Sequence, residues 1–124
     1  MKKIFTILSL VFSFAAFAQN GEGVVNALKE GSASKFSSYF STTIDMKFPE
    51  KDEMKNVSKA NATSAITNFF SSNSINGFEV TSQREMSGTM YVAGKLKGNS
   101  QNYNITVMLK NNGNEMSVIT IRIS

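Results

Sequence analysis

The sequence predicts an α+β domain in which three N-terminal helices pack on a strongly curved antiparallel sheet, in the order α-α-β-α-β-β-β-β. Three observations carry this prediction. Apolar residues recur at i, i+3 and i+4 up to residue 70, which is the period of a helix. After residue 78 they alternate with polar residues, which is the period of a strand. Short turns rich in Gly and Asn join these later segments, as between antiparallel neighbours.

The first two predicted helices are short. A helix over residues 21–31 has one apolar side, formed by Val24, Val25, Ala27 and Leu28. Gly31 stands at its end, where helices commonly finish on a left-handed residue. A second helix is predicted over residues 33–40, where one stripe at i, i+3 and i+4 consists of Phe36, Tyr39 and Phe40.

A strand and a loop follow these helices. Apolar and charged residues alternate from Ile44 to Phe48, which predicts a strand with one buried face. Pro49 ends this strand because proline cannot donate to a strand ladder. The mixed charges of residues 50–55 predict a solvated loop.

The third predicted helix has the strongest apolar stripe in the sequence. Ser58 is a suitable N-cap residue for it. The stripe consists of Ala62, Ala65, Ile66, Phe69 and Phe70. Its small residues come first and its large ones last, which suggests a helix lying on a curved sheet. The helix is expected to end near Asn73.

Four strands are predicted after this helix, over residues 78–87, 89–97, 101–110 and 115–124. Their turns contain Ser87-Gly88, Gly98-Asn99 and residues 111–114. In the last strand Ile119, Ile121 and Ile123 are expected to share one face. Val118 has the wrong parity for that set, and a β-bulge near it would bring it back while curving the sheet.

Residues 1–18 are predicted to be a cleavable signal peptide. Lys2 and Lys3 supply a positive start, and an apolar stretch of limited length precedes Ala16 and Ala18 at the positions before a cut. The stretch is shorter than the roughly 20 residues of a membrane-spanning helix, so no membrane anchor is expected after cleavage. The sequence therefore predicts export to the periplasm or beyond, with residues 19–124 as a single domain.

Composition excludes several kinds of chemistry. The chain contains no Cys and no His, so it lacks disulfides, thiolate metal ligands and the commonest general base. No cofactor and no metal site are expected. Without Lys2 and Lys3, 11 basic residues face 9 acidic ones, a net charge of +2. That charge is too small to indicate nucleic-acid binding.

The order of these elements resembles the cone-shaped fold of nuclear transport factor 2-like proteins. In that fold a curved sheet wraps the long third helix and leaves a pocket between them. A narrower resemblance is to a family of small secreted bacterial proteins known only as a domain of unknown function. Its order and spacing are carried by Ala27-Leu28-Lys29-Glu30-Gly31-Ser32-Ala33, Tyr39-Phe40, Ser58-Lys59-Ala60-Asn61-Ala62, Phe69-Phe70, Gly94-Lys95-Leu96, Leu109-Lys110 and Ile121-Arg122-Ile123.

The chain departs from that family pattern at two positions. Val57 stands where an aromatic residue is expected, and Ser32 where Asn is expected. The resemblance implies the cone-like fold and brings no established activity. No catalytic residue is therefore carried over to this sequence.

The residues themselves offer few catalytic candidates. Enzymes that share the resembling fold tend to place an Asp, His or Tyr in the pocket. Asp45 alternates with apolar Ile44 and Met46, so it is expected to point away from the core. A general base works best in an apolar pocket, so Asp45 is interpreted as a solvated strand residue. No catalytic residue is predicted.

Six large apolar residues have two interpretations. They could be ordinary core residues, or they could line a ligand pocket in the cone, where Met suits adaptable apolar sites. These ligand-pocket candidates are Phe48, Phe69, Phe70, Phe78, Met86 and Met90.

Five basic residues on predicted strands form a second candidate site. If they share a sheet face, that face would attract an anion or an acidic partner. Otherwise they are an ordinary solvated face, on which Lys discourages pairing between sheet edges. The five are Arg84, Lys95, Lys97, Lys110 and Arg122.

Three functions remain open from the sequence. The first is non-enzymatic binding of a small apolar or amphipathic ligand, or of a protein partner. The second is a ketosteroid-isomerase-like or dehydratase-type enzyme that works without histidine. The third is a structural module that forms a homodimer through its sheet.

Overall fold

The computed structural model describes residues 21–111 and 116–124. The predicted signal peptide lies outside the described residues, as does most of the turn predicted at 111–114. Helix α1 is described over residues 21–29, and α2 and α3 span Ala33–Ser37 and Lys59–Ser72. The six described strands are β1 Phe40–Lys47, β2 Met54–Ser58, β3 Gly77–Met86, β4 Thr89–Lys97, β5 Asn102–Asn111 and β6 Met116–Ile123.

The strands form one six-stranded sheet in the order β2-β1-β6-β5-β4-β3. Each neighbouring pair is antiparallel except β1 and β6, which are parallel. The predicted α+β class and the meander of the last four strands are confirmed, but the sheet is mixed. The parallel pair arises because the chain leaves β1, forms β2, α3 and the meander, and returns to pair with β1.

Strand β2 corrects the last part of the solvated loop predicted over residues 50–55: residues 50–53 lie outside any strand, as predicted, but Met54 and Lys55 begin β2. It pairs antiparallel with β1, with Val57 opposite Ile44 and Met54 opposite Met46. Its residues are exposed except for half-buried Val57. Because β2 is a sheet edge held by backbone pairing rather than by a buried face, it has no alternating apolar pattern to reveal it.

Helix α2 is shorter than predicted, and Phe40 begins β1 instead of ending the helix. The backbone N–H groups of Ser38 and Tyr39 bond three residues back, to Lys35 and Phe36, in a tight final turn. Phe36 and Phe40 of the predicted apolar stripe are buried even though Phe40 is in a strand. The Phe36 and Phe40 rings meet edge to face with centroids 5.2 Å apart, so burial was predicted better than helix length.

The predicted end of α1 and the predicted start of α3 are confirmed. Gly31 has φ +69°, and its N–H bonds to the carbonyl of Leu28 while the N–H of Ser32 bonds to that of Ala27. This pair of bonds is the Schellman arrangement. At the start of α3, the Ser58 Oγ accepts a hydrogen bond of 3.2 Å from the N–H of Asn61.

The predicted bulge in the last strand is present, but it falls on Ile119. Leu109 lies opposite Val118 while the preceding Met108 lies opposite Thr120, so Ile119 has no partner in β5. Val118 is therefore buried together with Ile121 and Ile123. The expectation that Ile119 shares their face is wrong, because the bulge takes Ile119 out of the alternation.

The core fills the space between the helices and the inner sheet face. Ile66 of α3, Leu28 of α1 and Leu96 of β4 are fully buried. Phe70 stacks on Phe36 with ring centroids 6.3 Å apart. Within residues 21–111 and 116–124, no helix is long and apolar enough to cross a membrane. The side chains of Phe36, Ile66 and Phe70 thus fill the space between α3 and the inner sheet face.

Candidate ligand-binding cleft

A cleft of about 560 Å³ opens where the segment after β1, the second half of α3 and the start of β5 meet. Its apolar lining consists of Phe48, Pro49, Met54, Ala65, Phe69 and Tyr103. Its polar lining consists of Glu50, Lys51, Asn68, Ser72, Asn73 and Gln101. Pockets that hold small molecules have volumes of roughly 300–1,000 Å³, a mainly apolar lining and a few polar groups, as this cleft does.

Three aromatic rings form what we term the aromatic floor of the cleft: Phe48, Phe69 and Tyr103. The centroid of the Phe69 ring lies 5.4 Å from that of Phe48, with the planes tilted by 39°. It lies 5.1 Å from that of Tyr103, nearly edge to face at 69°. Aromatic pairs are favourable in such geometries, so the rings from the residue after β1, from α3 and from β5 stabilise one another around a shared surface.

Hydrogen bonds at the end of α3 hold this floor in place. The Tyr103 hydroxyl donates to Asn73 Oδ1 over 2.8 Å. Asn73, the C-cap residue of α3, donates from Nδ2 to the carbonyl oxygen of Phe69 over 2.9 Å. The same carbonyl also accepts the backbone N–H of Asn73 over 3.1 Å. Tyr103 is thus tied to the same helix turn as Phe69, which fixes the ring orientation before any ligand arrives.

A tight turn that starts at Phe48 forms another wall of the cleft. The N–H of Lys51 bonds to the carbonyl of Phe48 over 3.2 Å, with Pro49 second in the turn and Glu50 third at φ +61°. Pro at the second position and a positive φ at the third define a type II turn. This turn brings two exposed side chains of opposite charge, Glu50 and Lys51, to the cleft.

The structure separates the six predicted pocket residues. Phe48 and Phe69 meet in the cleft. Phe70 lies in the core against Phe36, and the Phe78 ring lies in the core over Gly94. The two methionines lie near the β3–β4 turn, away from the cleft: Met86 is 49% exposed, and Met90 lies beside the start of α1.

Sequence reasoning missed most of the polar lining and one ring. Tyr103 is half-buried, and its inner-face position at the start of β5 brings it to the end of α3. The sequence predicts Asn73 only as the end of the helix. A signal was available in Pro49-Glu50, because a Pro turn directly after a strand places the next side chains beside the sheet's end.

Asp45 has a structural partner. Its Oδ1 accepts a hydrogen bond of 2.9 Å from the backbone N–H of Asn56, a residue at φ +55°. The pairing of β1 with β2 is irregular between Ile44 and Met46, and this carboxylate bond bridges the gap. Asp45 therefore holds the edge strand and does not line the cleft.

The five predicted basic residues lie on the outer face of the sheet, opposite the buried residues of their strands. Lys97 Nζ lies 3.2 Å from the Glu79 carboxylate. The Arg122 guanidinium lies 3.3 Å from the Glu53 carboxylate. Lys95 also faces Glu79 across the strands. Arg84 and Lys110 are exposed, and no ion pair involving either is present among the described residues. The outer face thus carries both signs of charge.

Within the described part of the chain, no three acidic side chains lie close enough to hold a metal ion. One titratable group there has a clearly displaced pKa, and it lies outside the cleft. The Glu30 carboxylate accepts a hydrogen bond of 2.8 Å from Lys35 Nζ and raises the pKa of that ammonium group.

The sequence model of the DUF4783 family, a domain of unknown function, matches residues 21–124 of this chain. A DUF4783 protein from Bacteroides ovatus is 32% identical, with 82% of this chain and 90% of that chain covered and a TM-score of 0.76. A second, from Bacteroides uniformis, is 25% identical, with 83% and 94% covered and a TM-score of 0.76.

Outside that family, an NTF-2 like protein of unknown function from Burkholderia xenovorans is 9% identical, with 88% and 81% covered and a TM-score of 0.64. That likeness concerns the fold alone. No protein of curated function matches significantly. The matches confirm the predicted domain of unknown function and its nuclear transport factor 2-like fold.

Proposed function

The chain belongs to the DUF4783 family of domains of unknown function, and on that premise we propose that it binds a small amphipathic molecule in the cleft beside α3. The family brings no activity with it, so the proposal rests on the cleft. The observation that carries it is the aromatic floor of Phe48, Phe69 and Tyr103, which lines an open cleft of about 560 Å³.

Apolar surface in an open cleft favours a ligand with an apolar body. Burying such surface against a ligand is worth roughly 25 cal/mol per Å² before the costs of association. The amides of Asn68 and Gln101 and the hydroxyl of Ser72 stand at the rim, where they can orient a polar head group. An amphipathic molecule satisfies both parts of the lining.

The first prediction is that filling the cleft abolishes binding. Ala65 lines the cleft one helical turn before Phe69, so the ring of Ala65→Phe would occupy ligand space. Benzyl alcohol, a neutral probe with one ring, is expected to bind the unaltered protein with a Kd on the order of millimolar. We expect Ala65→Phe to weaken that binding at least tenfold, as measured by NMR titration.

The matched control is Ala60→Phe, on the same helix but exposed and outside the cleft. It should bind benzyl alcohol like the unaltered protein. Equal weakening in both variants, or no binding to the unaltered protein, would contradict the proposal. Native mass spectrometry of protein purified from its own host would add the mass of any retained ligand.

A further inference from the structure

We infer that the ligand of this cleft is a small zwitterion, an amino acid with an apolar side chain, whose ammonium group pairs with Glu50 and whose carboxylate pairs with Lys51. The inference rests on the proposed function and names the class of molecule that the cleft takes. The apolar side chain would lie on the aromatic floor, and the two charged groups beside the turn that starts at Phe48.

The backbone of Glu50 is the first step in the argument. The third position of a type II turn favours Gly, because an L-residue at positive φ brings its Cβ close to the following carbonyl. Glu50 occupies that position at φ +61°. Left-handed residues retained at such a cost cluster at binding sites. Asn56, Ser74 and Ser87 also have positive φ, and of these four residues Glu50 is the one that lines the cleft.

The charge distribution is the second step. Of the described glutamates, Glu30, Glu53 and Glu79 each form an ion pair with a basic side chain, and Glu22, Glu50 and Glu85 do not. Glu50 is the one of the latter three that lines the cleft. Glu50 and Lys51 are adjacent and of opposite charge, yet no ion pair within 4.0 Å involves either of them among the described residues. Both line the cleft. Two free charges of opposite sign beside one apolar surface are complementary to a ligand that carries both signs.

The aromatic floor supplies the third step. A cation held by Glu50 beside Phe48 also benefits from aromatic faces, which attract cations. Because the cleft is open, each charge pair is partly screened and should change affinity by about fivefold. Discrimination between ligands should therefore be moderate, and it should depend on each charged residue separately.

The experiment compares four probes of similar size in NMR titrations of the full protein: L-phenylalanine, phenethylamine, 3-phenylpropionate and benzyl alcohol. L-phenylalanine carries both charges, the next two carry one each, and benzyl alcohol carries none. The unaltered protein should bind L-phenylalanine about fivefold more tightly than either singly charged probe. Glu50→Gln should remove the advantage over 3-phenylpropionate alone, and Lys51→Met the advantage over phenethylamine alone.

The outcomes separate this inference from the proposed function. If benzyl alcohol binds but the four probes bind equally, the zwitterion inference is overturned and the cleft proposal stands. If none of the four binds, the cleft proposal itself fails. A preference that survives both substitutions would also overturn the inference.

A second prediction concerns the strain at Glu50. Glu50→Gly should remove the steric cost at positive φ and raise Tm by about 2–4 °C, after allowing for the greater freedom of glycine in the unfolded chain. The same variant should lose the preference for L-phenylalanine over 3-phenylpropionate. A fall in Tm would show that the backbone is not strained there.

Discussion

Gly94 shows how a single residue shapes the sheet. It lies on the inner face of β4, and the aromatic ring of Phe78 from β3 covers it. A Cβ at this position would come within 2.6 Å of that ring and would also collide with the carbonyl oxygen of Glu79. Glycine covered by a neighbouring aromatic ring allows a sheet to bend without leaving a void.

The third prediction follows at this residue. Gly94→Ala should destabilise the protein by about 1–3 kcal/mol, because the new methyl group overpacks a position bounded by backbone and a buried ring. Gly77→Ala is the matched control, since its Cβ would meet only Lys97 at an ordinary 3.5 Å. Urea unfolding of the two variants measures the difference, and equal stabilities would refute this account of Gly94.

At the scale of an element, α3 carries the Ile66 and Phe70 that pack in the core and the Phe69 that lines the cleft. Its N-terminus depends on Ser58, whose Oγ accepts from the backbone of Asn61. The fourth prediction is that Ser58→Ala lowers the free energy of unfolding by about 1 kcal/mol. Ser64→Ala, exposed in mid-helix, should leave it unchanged or raise it slightly. Chemical unfolding followed by circular dichroism decides, and equal losses would contradict the capping role.

Elements that bury a regular face could be predicted, and elements held by pairing could not. The alternation of β5 and the stripe of α3 were readable because one side of each is in the core. Strand β2 was not predicted because all its residues except Val57 are exposed. The bulge was readable from the parity of Val118 against Ile121, but its position at Ile119 depends on pairing with β5, which no local pattern contains.

The candidate cleft was predictable only in part for a related reason. Burial stripes pick out large apolar residues, so Phe48 and Phe69 were found together with residues that stay in the core. Phe69 and Phe70 are adjacent and alike in sequence, yet one lines the cleft and the other stacks on Phe36. Which of the two meets the cleft depends on how α3 is rotated about its axis. That rotation is set by packing with α2 and the sheet, which a single-sequence pattern does not specify.

At the scale of the whole molecule, the division between core and cleft follows from how α3 lies on the curved sheet. Under its middle turns the space is closed by Phe36, Ile66 and Phe70. Towards its C-terminal end the sheet side is bounded by Tyr103 and the type II turn, and the space stays open. The closed core and the open aromatic floor are therefore neighbours along one helix.

Export concerns the whole chain, and it remains a proposal. The described fold begins at residue 21 and its first buried side chain there is Val24, so the predicted cleavage after Ala18 falls before the described fold. The fifth prediction is that the full chain, produced in a bacterial host with a secretory pathway, is recovered outside the cytoplasm with Gln19 as its first residue. Intact-mass measurement would show this.

The control for export is Ala18→Arg, which places a large charged side chain where a signal peptidase requires a small one. Processing should then stop and the mass should remain that of the full chain, while the fold from residue 21 onwards stays intact by circular dichroism. A first residue of Met1 in the unaltered protein would contradict the signal peptide. In that case the two lysines and the apolar stretch before Ala18 would have to be explained as part of the working protein.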